Sequence, residues 1–123
     1  MNREAGMRNE PMNERAMELG VILGDCMRAC QQCAMACLRE EDARQMAECV
    51  RLDWDCADAC GLALAFLNRQ SSNLEEACDF CSAICEECAE ECARHAYMEH
   101  CRICADVCRH CAEACADVAT LAN

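Results

Sequence analysis

Seventeen cysteines dominate the chemistry available to this 123-residue sequence. Most recur at alternating separations of three and four residues, and one sparser run keeps the same register. Thiols form disulfides, cycle as dithiols, bind soft metal ions as thiolates or fill a core as small apolar groups. The four runs are Cys26, Cys30, Cys33 and Cys37; Cys49, Cys56 and Cys60; Cys78, Cys81, Cys85, Cys88 and Cys92; and Cys101, Cys104, Cys108, Cys111 and Cys115.

This spacing places the cysteines of each run on one face of an α-helix, at the positions where a helical bundle normally carries Leu or Ile. Helix breakers are scarce, since the chain has one Pro and four Gly, and a loop is indicated at 68–73. The sequence predicts an all-α fold, an antiparallel four-helix bundle with a cysteine-lined core. We expect an N-terminal extension at 1–11 and a bundle at 12–123, with helices at about 12–40, 42–68, 74–95 and 97–121.

The charge and composition of the chain exclude several classes of binding partner. The net charge of -12 leaves no basic surface for nucleic acids or anionic membranes, so neither partner is expected. Ile, Leu, Val and Phe make up 18 of the 123 residues, too few for an ordinary core, so the cysteines must help to form it. The N-terminus has no apolar segment typical of a signal peptide or membrane anchor, which predicts a cytoplasmic protein. Cysteines of cytoplasmic proteins bind metal or do redox chemistry more often than they form structural disulfides.

The continuations of the cysteine runs predict two unlike ends of the bundle. At the end that holds the 68–73 loop, apolar residues continue the runs and should close the core. At the opposite end, which we call the open end, the runs pass through Met46 and His95, and Asp53 lies one turn further inside. The apolar residues of the closed end are Leu19, Leu23, Ala63, Leu67, Leu74 and Val118.

Three residues other than cysteine are candidate ligands at the open end. The imidazole of His95 suits a metal ion, although it could instead interact with a helix terminus. An inward Asp53 needs a cation or a hydrogen-bond donor, so it is either a ligand or a residue supporting one. The Met46 thioether is a weak soft ligand or plain core filler. His100 and His110 adjoin cysteines but point away from the runs, which predicts surface positions.

Several thiol chemistries fit the pattern less well than metal binding does. Sulfur alone would leave a loosely packed core, and cysteines four residues apart on one helix are too distant for a disulfide. No βαβ pattern supports a thioredoxin-like site, and the ferredoxin cysteine motif is absent. No catalytic triad or phosphate-binding loop indicates an enzyme.

The net charge of the metal-thiolate site distinguishes zinc from copper. A zinc ion held by four thiolates leaves a net charge of -2, whereas one Cu(I) per bridging thiolate gives a neutral array. This favours Cu(I), at about one ion per cysteine, over a zinc-thiolate store. A dithiol redox buffer is the other alternative.

The cysteine runs and the Met/His/Asp end resemble the bacterial copper storage proteins, specifically the form without an export signal. The resemblance covers about residues 12–122, and the second run departs from the pattern in having only three cysteines. It implies a four-helix bundle that assembles as a homotetramer, binds many Cu(I) ions through thiolates and admits copper at one end. It also implies a cytosolic role in storing or sequestering copper.

Overall fold

The computed structural model describes residues 13–118, which fold into four helices with no strand in that range. The predicted all-α class is therefore confirmed. The proposed extension at 1–11 lies outside the described residues, and the division of the chain into extension and bundle stays a prediction. The elements are α1 at Glu14–Leu38, a 3₁₀ turn at Ala43–Met46, α2 at Ala47–Asn68, α3 at Leu74–Ala93 and α4 at Glu99–Ala116.

Local hydrogen bonds fix where the helices begin and reverse. Asn13 caps α1, because its Oδ1 accepts a hydrogen bond of 2.8 Å from the backbone N–H of Ala16. At the end of α2, Gln70 adopts a left-handed φ of 54°. The backbone N–H of Ser71 then donates to the carbonyl of Phe66 at 2.9 Å, the pattern of a Schellman motif. This tight reversal sends the chain back along the bundle as α3.

Each helix packs against two neighbours, so that the four form a closed square. Helix α1 contacts α2 and α4, and α3 contacts the same two helices from the other side. The side chains in the centre are short enough for helices on opposite corners to meet through sulfur: the Sγ atoms of Cys56 and Cys108 lie 3.9 Å apart. Cys60 and Cys111 make a second such contact between α2 and α4, also at 3.9 Å. The core is consequently one continuous column of sulfur.

Apolar side chains close the column at the end that holds the α2–α3 loop. Leu19 and Leu23 on α1, Leu67 on α2 and Val118 after α4 are all buried there, with Ala63 between them. Leu74 packs on the same cluster from the start of α3. Within the described residues, none of the helices is both long and apolar enough to cross a membrane.

Candidate metal centre

All seventeen cysteines are buried free thiols directed into the core. The shortest contacts between Sγ atoms join different helices. Cys56 and Cys85 lie 3.4 Å apart, and two further pairs, Cys49–Cys92 and Cys30–Cys108, lie 3.5 Å apart. A disulfide would require sulfur atoms about 2.05 Å apart, so these are thiols in contact. Such a set of sulfur atoms offers ligands to soft metal ions from several directions at once.

The cysteines form overlapping sets of four, in each of which the Sγ atoms lie within 4.8 Å of one another. Overlap means that one thiolate can serve two metal positions. The arrangement therefore suits a connected array of ions with bridging thiolates better than it suits isolated centres. Four sets each share cysteines with another: Cys26, Cys30, Cys56 and Cys108; Cys26, Cys56, Cys60 and Cys85; Cys30, Cys88, Cys104 and Cys108; and Cys60, Cys81, Cys85 and Cys111. A further set, Cys33, Cys37, Cys49 and Cys101, shares no cysteine with these four.

Burial opposes the ionisation of the core thiols in the metal-free protein. At Cys37, burial is the largest cause that raises the pKa of the thiol, to about 12. A low-dielectric core disfavours thiolates, and many adjacent negative charges would repel one another. A metal ion entering the core must therefore displace protons from the thiols that bind it.

Asp53 is the one fully buried carboxyl group among the described residues. Its Oδ1 accepts hydrogen bonds from the thiols of Cys88 at 3.2 Å, Cys104 at 3.4 Å and Cys92 at 3.5 Å. Burial first, and then the neighbouring sulfur of Cys104, raises the pKa of this carboxyl to about 11. The group is thus a neutral carboxylic acid in the metal-free protein, and it occupies a place in the core that a fourth thiol of α2 would otherwise fill.

His95 lies at the open end, but its side chain already has a partner. Its Nε2 is 3.0 Å from the Oε2 of Glu91, and Glu91 is itself buried and also pairs with Arg94. The imidazole must therefore leave Glu91 before Nε2 can bind a metal ion. Met46 is buried in the 3₁₀ turn, where it packs on the core cluster. A metal-binding role for Met46, Asp53 and His95 stays a prediction.

The two remaining histidines differ from each other. His110 is exposed, as expected for a residue that points away from the core. The surface prediction is wrong for His100, because this residue is half-buried and its Nε2 is buried without a hydrogen-bond partner among residues 13–118. A buried nitrogen without a hydrogen-bond partner is available as a metal ligand. The available sequence signal was its place beside Cys101 in the first turn of α4.

Comparison with known proteins relates this geometry to a family. The family profile described as copper storage protein matches residues 12–120. An uncharacterised cysteine-rich protein of Bacillus subtilis is 42% identical over 71 residues, which are 58% of this chain and 66% of that relative. The aligned part thus spans just under two thirds of the relative.

Solved structures give the same relationship over more of the chain. The Cu(I)-bound copper storage protein BsCsp3 of Bacillus subtilis shares 38% identity and a TM-score of 0.79, with 83% of this chain and 95% of that one covered. A cytosolic copper storage protein of Streptomyces lividans, loaded with five coppers, shares 38% identity and a TM-score of 0.83, with 89% and 94% covered. The fold of this chain therefore has counterparts in proteins solved with copper.

Proposed function

Because the chain belongs to the copper storage protein family, we propose that it stores Cu(I) on the thiolates of its core cysteines. The observation that carries this function is the continuous column of seventeen buried free thiols. Its overlapping sets of four sulfur atoms can share thiolates between ions. Many equivalent, connected ligands favour high capacity over the delivery of a single ion, and the proposed role is storage without catalysis.

All seventeen cysteines are the proposed primary ligands. One Cu(I) per thiolate leaves the core neutral, so the proposed capacity is about one ion per cysteine. This ratio of ions to thiolates matters because uncompensated charge is costly in a low-dielectric interior. Asp53 then sits inside the array as a ligand or as a partner of ligating sulfur.

Copper is proposed to reach the core at the open end. The apolar cluster around Leu23 and Leu67 closes the other end, which supports this direction. Met46 and His95 lie at the open end and offer a thioether and an imidazole, which are exchangeable ligands for a soft ion. The proposed compartment is the cytosol, as described for the relative from Streptomyces lividans.

The stoichiometry of Cu(I) binding tests the proposed function. Fully reduced protein titrated anaerobically with Cu(I), against a competing chromophoric chelator, is expected to saturate at about one ion for each of its seventeen cysteines. Free thiols, counted on the same samples with a thiol reagent, should fall in parallel. Saturation at a few ions, with most thiols still reactive, would contradict copper storage.

We also propose that the chain assembles as a homotetramer. Apolar side chains on the outer face of α1 support an interface, because Met17, Val21, Met35 and Leu38 are all substantially exposed in the single chain. Their spacing places them along one side of the helix. Light scattering should give four times the chain mass of 13.7 kDa. A solution mass equal to one chain would contradict the assembly.

A further inference from the structure

Four of the outermost cysteines form a compact set at the open end. Cys33 and Cys37 come from the last part of α1, Cys49 from the start of α2 and Cys101 from the start of α4, with all four Sγ atoms within 4.8 Å of one another. We call these four residues the outer tetrad. Three of its sulfur atoms define a nearly regular triangle, with Cys33–Cys37 at 3.9 Å, Cys33–Cys101 at 3.9 Å and Cys37–Cys101 at 3.8 Å.

The triangle has the size of one face of a zinc tetrathiolate. With Zn–S bonds of about 2.3 Å, the sulfur atoms of a regular tetrahedron lie about 3.8 Å apart. Cys49 stands close enough to supply the fourth ligand. Little movement of the thiols is therefore needed to close a tetrahedral site around a divalent ion.

The helix termini make this the place where a net charge of -2 costs least. Cys49 is the third residue of α2 and Cys101 is the third residue of α4. A helix N-terminus carries partial positive charge that stabilises a thiolate in the first turn. Cys37 lies in the last turn of α1, where the effect has the opposite sign, so two favourable termini outweigh one unfavourable terminus.

Deeper sets of four lack this compensation. One such set is formed by Cys30, Cys88, Cys104 and Cys108. All four residues lie beyond the first turn of their helices, and the nearest to a helix N-terminus is Cys104, in the second turn of α4. The helix dipole acts mainly within the first and last turns. A tetrathiolate charge of -2 placed there would have little to offset it, so filling the whole core with zinc is unfavourable while one outer zinc is not.

We propose that the outer tetrad binds one Zn(II) ion in the copper-free protein. Binding releases four thiol protons and leaves a tetrathiolate centre of charge -2, with no change in oxidation state. The ion caps the core at its open end and withholds the outermost thiols from oxidants. Its later exchange for Cu(I) rests on the proposed function, whereas zinc binding itself does not.

The test is an anaerobic titration of the reduced full-length chain with Zn(II) against a chromophoric zinc chelator. One tight ion per chain is expected, with four thiols protected from a thiol reagent. Co(II), used as a spectroscopic substitute, should give the visible absorption of a tetrahedral tetrathiolate at the same stoichiometry. No tight ion, or several of equal affinity, would overturn the proposal.

Two substitutions locate the ion. Cys101→Ser in the outer tetrad should weaken zinc binding by more than about tenfold, since even the loss of a residue that supports a ligand costs that much. Cys115→Ser, a buried cysteine near the closed end, is the matched control and should leave the affinity unchanged. Equal affinity in both variants would overturn the proposed location.

Cys37→Ser gives a second variant should Cys101→Ser fail to fold, which far-ultraviolet circular dichroism will show. It should again weaken zinc binding by more than about tenfold. A parallel Cu(I) titration separates the two proposals. Normal copper capacity without zinc binding would remove the zinc site and leave copper storage intact, whereas zinc binding without high copper capacity would do the reverse.

Discussion

Copper-loaded protein is expected to resist chemical unfolding far more strongly than the metal-free protein. Each ligand-binding site adds about 2.7 kcal/mol to the free energy of unfolding when the free ligand stands at a hundred times its dissociation constant. Four such sites acting independently would add about 11 kcal/mol, which is comparable with the whole stability of an ordinary domain. The overlapping sulfur sets bring their ligands together only in the folded bundle.

Denaturant titration monitored by far-ultraviolet circular dichroism measures this effect. The unfolding midpoint should rise progressively as Cu(I) is added, and a strong Cu(I) chelator should return it to the metal-free value. Reduced protein given copper together with an excess of that chelator is the control for unspecific effects, because the ion is then withheld from the thiols. If the midpoint of the reduced protein does not move with copper, the thiols of the folded bundle are not the binding groups.

The bundle itself could be predicted because its pattern is local and repeated. Cysteines three and four residues apart can share one face only on a helix, and four such runs joined by short connections leave few arrangements other than an antiparallel bundle. The same register located the inward position of Asp53 in α2. The spacing at which side chains return to one face of a helix, and the direction of each helix along the chain, can both be read from the sequence alone.

The details of the open end could not be predicted in the same way. The contact between His95 and Glu91, and the burial of Nε2 of His100, both lie beside the connection between α3 and α4 at 94–98. This connection has no Gly or Pro to fix its course, and its turn is set by how the two helices meet. The cysteine register says which face a residue occupies but not which polar partner it finds.

The charge state of Asp53 also required the structure. An inward carboxyl group could have met a cation, which would have kept it ionised. Instead it accepts hydrogen bonds from thiols on α3 and α4, including those of Cys88 and Cys104. Neutral thiol donors in a buried core do not compensate for the loss of water around a carboxylate, so the group holds its proton.

Replacing Asp53 by Asn is expected to stabilise the metal-free protein at neutral pH. The folded carboxyl has a pKa of about 11, whereas in the unfolded chain it ionises above about 3.9. Folding at pH 7 must therefore protonate this group at a cost of about 4 kcal/mol. The Asn amide has nearly the same shape and needs no proton, so the cost disappears, less whatever its own burial requires.

The stabilisation that Asp53→Asn produces should depend on pH. Because the raised pKa makes the folded state bind the proton more tightly, the contribution of Asp53 to wild-type stability is greatest below about pH 4. That contribution falls by about 1.4 kcal/mol per pH unit above pH 4. The gain in stability from Asp53→Asn should thus grow from pH 4 to pH 7, below the range in which unfolded thiols ionise. Denaturant titrations of both reduced proteins across that range measure it.

Asp55→Asn is the matched control, because Asp55 is an exposed residue on the outer side of the same helix and is paired with Arg51. Its substitution should change the free energy of unfolding by less than about 1 kcal/mol, as is usual for surface ion pairs. A gain from Asp53→Asn that is equal at pH 4 and pH 7 would mean that Asp53 takes up no proton on folding. In that case the carboxylate is ionised within the metal-free core, and Cu(I) would meet a negative charge there before any thiol has lost its proton.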